Sequence, residues 1–396
     1  MDIDTPLPLL GGLTPARFMQ RHWQKKPLLV RQAIPGMVPL LDRAALFAMA
    51  ARDEVESRLV LQQQAPAPTT TSAKSARGKP AGAAARWQMR QGPFARRALP
   101  ALHTPGWTLL VQGMDLHEDR LHGLLQQFRF VPDARLDDLM ISYASDQGGV
   151  GPHFDSYDVF LLQAQGRRRW RIGRQKDLTL QDNVPLKILA HFEPEQEFVL
   201  EPGDMLYLPP RYAHDGMAEG ECQTYSIGFR SPARGELARE LLQRAADDAA
   251  NVAGERLYRD PAQPAVASPG AIPPALLGFA REALQAVLDE PLALERALGE
   301  YLTEPKASVW FDSEAAAAPR GAGRIDLDRR TRMMHDAHHV FINGESYRAS
   351  GRDATLMRRL ADQRHLDASS LARASEGARA LLQAWCEAGW AHATQE

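Results

Sequence analysis

His153 and Asp155 stand two apart in Gly-Gly-Val-Gly-Pro-His-Phe-Asp-Ser-Tyr-Asp (148–158), just before an apolar run, Val159–Gln163, that reads as a strand. Side chains two apart on an extended chain share a face, so an imidazole and a carboxylate are aimed at one point. A third ligand is available at His214, which closes the stretch beginning Gly203-Asp204-Met205 and ending Pro209-Pro210-Arg211-Tyr212-Ala213. Two histidines and one carboxylate on one side of a metal, with the other side open, is the arrangement of non-haem Fe(II) oxygenases. His-x-Asp alone also fits a turn with a structural histidine. The glycine-rich approach and the later Pro-Pro-Arg-Tyr-Ala-His run favour the metal.

One arginine strengthens that expectation. In Arg167-Arg168-Arg169-Trp170-Arg171-Ile172, strand alternation puts Arg168, Trp170 and Ile172 on one face and the other three arginines on the opposite face. The first set is the more apolar and should point inward. A lone guanidinium there is costly unless a carboxylate meets it. A diacid cosubstrate such as 2-oxoglutarate offers one, chelating iron at its keto-acid end and taking an arginine fork at the other. The outward arginines read as a solvated face. The glycines at 148–151 are not a phosphate loop, because no Gly-Lys-Ser/Thr follows. His335, His338 and His339 form a second cluster, with no cysteine nearby to complete a tetrahedral set, and read as a surface patch.

These residues need a β-rich frame. Thr14-Pro15 reads as the capped start of a helix reaching about Gln24, followed by a strand at 26–30. Residues 64–86 are Pro/Ala/Ser/Thr-rich and are expected to be a mobile insertion between two strands. Strand-like runs follow at 87–91, 107–112, 138–143, 157–163, 168–173, 197–201, 205–208 and 223–229, which favours a barrel or sandwich over an alternating α/β sheet. After Pro232 the composition turns to Ala, Leu, Glu and Arg at helical spacing (235–250 and 275–305, broken at Pro291). Stretches 261–274 and 313–323 read as a loop and a linker. The tail combines a strand pair turning at Asn343-Gly344 with helices near 355–364 and 375–389.

The chain as a whole sets broader limits. Its 396 residues allow two or three domains at roughly 150 residues each. A net charge of −2 does not advertise a nucleic-acid partner. Two cysteines, Cys222 and Cys386, imply no disulfide framework and suit a reducing cytoplasm. No apolar run reaches the roughly 20 residues that span a bilayer, and the N-terminus lacks the pattern of a signal peptide.

Several stretches together resemble the JmjC-type 2-oxoglutarate oxygenases, specifically the bacterial ribosomal oxygenases. They are Asp138–Ser142, Gly149–Asp155, Tyr157–Phe160, Gly166–Arg171, Glu201–Asp204, Leu208–Pro210 through His214, and Tyr225–Arg230, with Arg21–Leu28 near the N-terminus. The resemblance covers nearly the whole chain. It implies a mainly β catalytic domain (1–232), a double-stranded β-helix of the cupin type, with 64–86 as an insertion. An α-helical dimerisation segment (233–312) and a small α+β winged-helix domain (325–396) would follow. It implies that His153, Asp155 and His214 hold Fe(II), that Arg168 binds the distal carboxylate of 2-oxoglutarate, and that Ser142 adds a hydroxyl; O2 is the other cosubstrate. The expected reaction is hydroxylation of the β-carbon of an arginine in the sixteenth protein of the large ribosomal subunit, with release of succinate and CO2. Where some relatives place a serine, this chain has Ala144. A cationic substrate would need acidic or aromatic lining, and Asp146, Tyr157, Asp158 and Asp215 are candidates.

Three alternatives share parts of the pattern. A JmjC-type demethylase, or a hydroxylase of another residue such as histidine, would use the same iron chemistry. A cupin of another reaction type gives no reason for the inward Arg168. A non-catalytic winged-helix binding module predicts a basic tail, whereas acidic residues interleave the arginines of 325–396, so direct nucleic-acid binding is not expected.

Overall fold

The computed structural model describes residues 2–63, 86–247, 249–312, 323–348 and 350–394. The expected insertion at 64–86, apart from Arg86, and the expected linker at 313–323, apart from Gly323, lie outside the described residues. The chain divides into two units, Met1–Ser231 and Pro232–Glu396.

The first unit runs α1 (Pro15–Arg21), β1 (Leu28–Val30), α2 (Arg43–Met49), β2 (Ser57–Gln63), β3 (Arg86–Gln91), β4 (Trp107–Val111), α3 (Asp119–Gln126), β5 (Leu136–Ala144), β6 (Val159–Gly173), β7 (Gln196–Leu200), β8 (Met205–Leu208) and β9 (Ala213–Phe229). All nine strands join one antiparallel sheet in the order β1-β8-β6-β9-β5-β4-β2-β3, with β7 also on β6. Two long strands do the folding over. The first part of β6 pairs with β8 and its last part with β7, while β9 accompanies it along both parts. The two halves of β6 thereby take different neighbours on one edge, which is how a sheet folds over into a barrel or sandwich.

Alternation divides β6 into two faces. Phe160 and Leu162 point into the main apolar core, whereas Val159 and Leu161 line the opposite side. That core is aromatic: Phe18 of α1 meets Tyr207, Trp23 meets Phe229, and Phe160 meets both Phe128 and Tyr207, at centroid separations of 4.9–5.0 Å. Thr14 caps α1 as expected, accepting from the Arg17 amide at 3.2 Å. The helix ends three residues short of Gln24, whose backbone turns to φ 56° and donates to the Tyr207 hydroxyl at 2.8 Å.

The second unit opens with α4 (Arg234–Asp247), α5 (Ala249–Ala253), α6 (Pro274–Leu288) and α7 (Ala293–Thr303). It continues β10 (Arg324–Leu327), β11 (Met333–His335), β12 (His339–Ile342), β13 (Glu345–Arg348), α8 (Gly351–Gln363), β14 (His365–Asp367), α9 (Ala368–Ala372), α10 (Glu376–Glu387) and β15 (Ala391–Thr394). Two small sheets, β14-β10-β15 and β11-β12-β13, share a core with α8 and α10 built on Ile342, Leu360, Leu366 and Trp385. The β12–β13 turn is Asn343-Gly344, both at positive φ, as that pair allows. No helix among the described residues is long and apolar enough to cross a membrane.

Candidate metal centre

His153 and His214 come together through the backbone. The His153 amide donates to the His214 carbonyl at 2.9 Å and the His214 amide returns the bond at 2.8 Å. This places the two rings 4.2 Å apart. His214 is the second residue of β9, but His153 and Asp155 precede β6 rather than lying on it. Reciprocal bonding to β9 holds His153, and a bond from the Arg211 amide to the Asp155 carbonyl, 2.7 Å, holds the loop. Each histidine uses Nδ1 on a carbonyl two residues earlier, Gly151 or Tyr212, both at 2.9 Å. A carbonyl only accepts, so both rings carry the proton on Nδ1 and leave Nε2 as a lone-pair donor. Asp155 Oδ2 lies 3.6 Å from His214 Nε2. The ligand atoms of the three residues fall within 4.8 Å of one another, the one such group among the described residues. That spacing suits an ion about 2.0–2.2 Å from each. Burial, reinforced by His153 and opposed by Asp155, lowers the pKa of His214 to about 4, so its imidazole is neutral and ready to ligate at physiological pH.

Arg168 is inward, 3% exposed, with Trp170 and Ile172 buried beside it. Its Nη1 donates to Ser142 Oγ at 3.0 Å and to Thr224 Oγ1 at 3.5 Å, and its Nη2 to the Gly216 carbonyl at 3.2 Å. Nε has no acceptor. No carboxylate among the described residues is in ion-pair range of it. Burial pulls its pKa down, which is the signature of a cation short of counter-charge. The guanidinium lies 5.1 Å from the Trp170 ring, which in turn is 5.9 Å from that of His214. The outward arginines are not merely solvated: Arg169 pairs with Glu197 and Glu219, Arg171 with Asp215 at 2.5 Å, and Arg167 with Glu219 at 3.3 Å.

His153, Asp155, His214, Arg168 and Ser142 all reach the wall of one cavity of about 270 Å³. Of the suggested lining residues only Tyr157 does. Burial, and then the neighbouring Asp155 and Asp138 carboxylates, push its hydroxyl pKa well up. Asp158 is buried in the fold, accepting from the Tyr207 hydroxyl at 2.6 Å, from Gln24 at 3.0 Å and from Arg135 at 3.3 Å. Asp215 is taken by Arg171, and Asp146 accepts from the Gly220 amide at 2.8 Å. The wall instead gains Asp137 and Asp138. Asp138 was legible, since it alternates with Met140 and Ser142 along β5. A register shift between Leu136 and Asp138 brings in Asp137 as well. Thr224 of β9 also reaches the wall, and its residue type alone does not mark it. His335 and His339 turn to Asp362 and Asp336 instead, each at 3.2 Å.

Comparison with known proteins agrees with this geometry. Residues 123–237 match the JmjC domain family, and residues 286–392 match the ROXA-like winged helix. The chain is 32% identical over 353 residues to the ribosomal protein uL16 3-hydroxylase of Escherichia coli, spanning 85% of this chain and 86% of that one. It is 34% identical over 224 residues to a probable ribosomal oxygenase of Haemophilus influenzae, spanning 56% and 50%. The structure of the E. coli ribosomal oxygenase YcfD in complex with cobalt and 2-oxoglutarate superposes with a TM-score of 0.74. There the identity is 30%, with 96% of this chain and 98% of that one covered.

Proposed function

The chain belongs to the JmjC-type ribosomal oxygenases, and from that premise we propose that it hydroxylates the β-carbon of an arginine in the large-subunit ribosomal protein uL16. In this proposal His153, Asp155 and His214 hold the iron, while Arg168, with Ser142 beside it, receives the distal carboxylate of 2-oxoglutarate. The observation that carries it is the coincidence, in one cavity, of three convergent ligands and a buried guanidinium with no carboxylate partner. When bound, iron and 2-oxoglutarate supply the oxidising power that inserts one oxygen of O2 into a C–H bond, the cosubstrate leaving as succinate and CO2.

The chain's own residues bind and orient. Fixed Nδ1 protons on His153 and His214 keep both Nε2 atoms turned to one point without a tautomer change. Arg168 meets the dicarboxylate at its far end, so the keto-acid end is held at the metal in one pose. Aromatic and aliphatic walls from Trp170, Leu161 and Val159 limit water around the reacting carbon. Asp137, which also accepts from Arg230 at 3.3 Å, and Asp138, which also accepts from Gln112 and the Gly113 amide at 3.2 and 3.1 Å, join Tyr157 as negative and aromatic lining for a cationic side chain; Arg58 on the same wall is bonded to Gln112 at 2.6 Å. We also propose a cytoplasmic homodimer. Two free, buried cysteines suit a reducing compartment, and α6 carries Leu277, Leu284 and Leu288 at least half exposed.

The test is aerobic incubation of the full-length protein with Fe(II), 2-oxoglutarate and an arginine-containing uL16 peptide, followed by mass spectrometry. A gain of one oxygen on the arginine, lost in His153→Ala, is the expected result. Conversion of 2-oxoglutarate to succinate with no peptide oxidation would keep the oxygenase and discard this substrate. Neither product from metal-loaded protein would discard both.

A further inference from the structure

Gln163 is fully buried in β6, is not among the residues lining the cavity, and carries a polar side chain that the proposed reaction does not use. Its amide donates to the Gln165 carbonyl at 2.8 Å and to the Gly166 carbonyl at 3.4 Å. Its Oε1 accepts from the Thr224 hydroxyl at 2.9 Å. The Thr224 hydrogen is therefore committed to Gln163, and the lone pairs of that hydroxyl are left to Arg168 Nη1 at 3.5 Å. Ser142 completes the ring, accepting from the same nitrogen at 3.0 Å and donating to the Thr224 carbonyl at 3.4 Å.

The position of Gln163 along the chain gives this cluster its meaning. Pairing of β6 with β9 slips between Gln163 and Gln165 and again between Gln165 and Arg167. Before the slip the residues facing the cavity are odd, Val159 and Leu161; after it they are even, Arg168 and Trp170. An unbroken strand would turn Arg168 out and Arg167 in. The two carbonyls that the Gln163 amide meets, those of Gln165 and Gly166, lie within this irregularity. One side chain thus closes the bulge that points Arg168 inward and, through Thr224, fixes the direction of its Nη1 hydrogens.

We propose that Gln163 and Thr224 are positioning residues for Arg168, selecting a cosubstrate with a distal carboxylate through the orientation of that guanidinium. The inference rests on the 2-oxoglutarate reading of the cavity. It is tested on the full-length protein loaded with Co(II), by titrating 2-oxoglutarate and 2-oxopentanoate, the five-carbon keto acid with a methyl in place of the distal carboxylate. Thr224→Val should weaken 2-oxoglutarate by about threefold to tenfold, the scale of one ordinary hydrogen bond, and leave 2-oxopentanoate unchanged. Thr224→Ser should restore the affinity, and Gln163→Leu should reproduce the same selective loss. Equal weakening of both acids, or no weakening of 2-oxoglutarate, would overturn the positioning role. Arg168→Met separates the two levels. If it abolishes the preference for 2-oxoglutarate while Thr224→Val leaves that preference undiminished, this inference alone fails; if the unmodified protein has no such preference, the reading of the cavity fails with it.

Discussion

A guanidinium sealed from water, held by two hydroxyls and one carbonyl and with its Nε hydrogen on nothing, is stable only if an anion completes its surroundings during the working cycle. Arg168→Met keeps the stem length and removes the charge. It should raise the KM for 2-oxoglutarate about tenfold to a hundredfold, the cost of losing a charged hydrogen-bonding partner, while Co(II) titration shows unchanged metal affinity. An unchanged KM would remove Arg168 from the cosubstrate site. Residues of this kind were legible in the sequence because their chemistry is rare where they stand: a histidine two before an aspartate, and an arginine in phase with a tryptophan and an isoleucine. Thr224 and Gln163 were not, since each is an ordinary strand residue by type. Their roles arise from cross-strand register, Ser142 opposite Thr224 and Thr224 opposite Gln163, and a single sequence does not state register.

At the scale of elements the decisive feature is the interruption of β6. The sequence suggested two strands, 157–163 and 168–173; the structure joins them as Val159–Gly173 with an irregularity between. Gly166 sits there at φ +64°, and a methyl added to it would fall 2.1 Å from the Glu221 carbonyl oxygen. The two nearest atoms, the Glu221 carbonyl oxygen and Cys222 Cα, are backbone of the neighbouring strand and have little room to yield. Gly166→Ala should therefore cost about 2–4 kcal/mol, seen as a lower urea midpoint, and should weaken 2-oxoglutarate more than Co(II), because the strand that aims Arg168 must shift. Wild-type stability in that variant would show that the bulge adapts freely and does not set the phase. The short helices α2 and α3 were overlooked for a plainer reason: at seven and eight residues they give periodicity too little length to register. β2 was also missed.

For the whole molecule, the change of composition at Pro232 announced a change of architecture, and the two units divide at Ser231 and Pro232. What composition does not reveal is which apolar residues of the helical part are spare. In α6 only Val287 is buried, while Leu277, Leu284 and Leu288 are 56%, 58% and 50% exposed. They are spaced seven and four apart, which places them along one stripe of the helix. Three leucines on water sacrifice several kcal/mol of burial that a second copy could recover, at about 1.5–3 kcal/mol each. A two-fold contact would use each stripe twice, once on each partner. Light scattering of the unmodified chain at micromolar concentration should accordingly give twice the chain mass, and Leu277→Asp with Leu284→Asp should halve it without lowering the helical signal in circular dichroism. A monomeric mass for the unmodified chain at the same concentration would remove the dimer and leave the stripe to some other apolar partner. Co(II) and 2-oxoglutarate affinities should not change in the double variant, because every residue proposed for that site lies in the first unit.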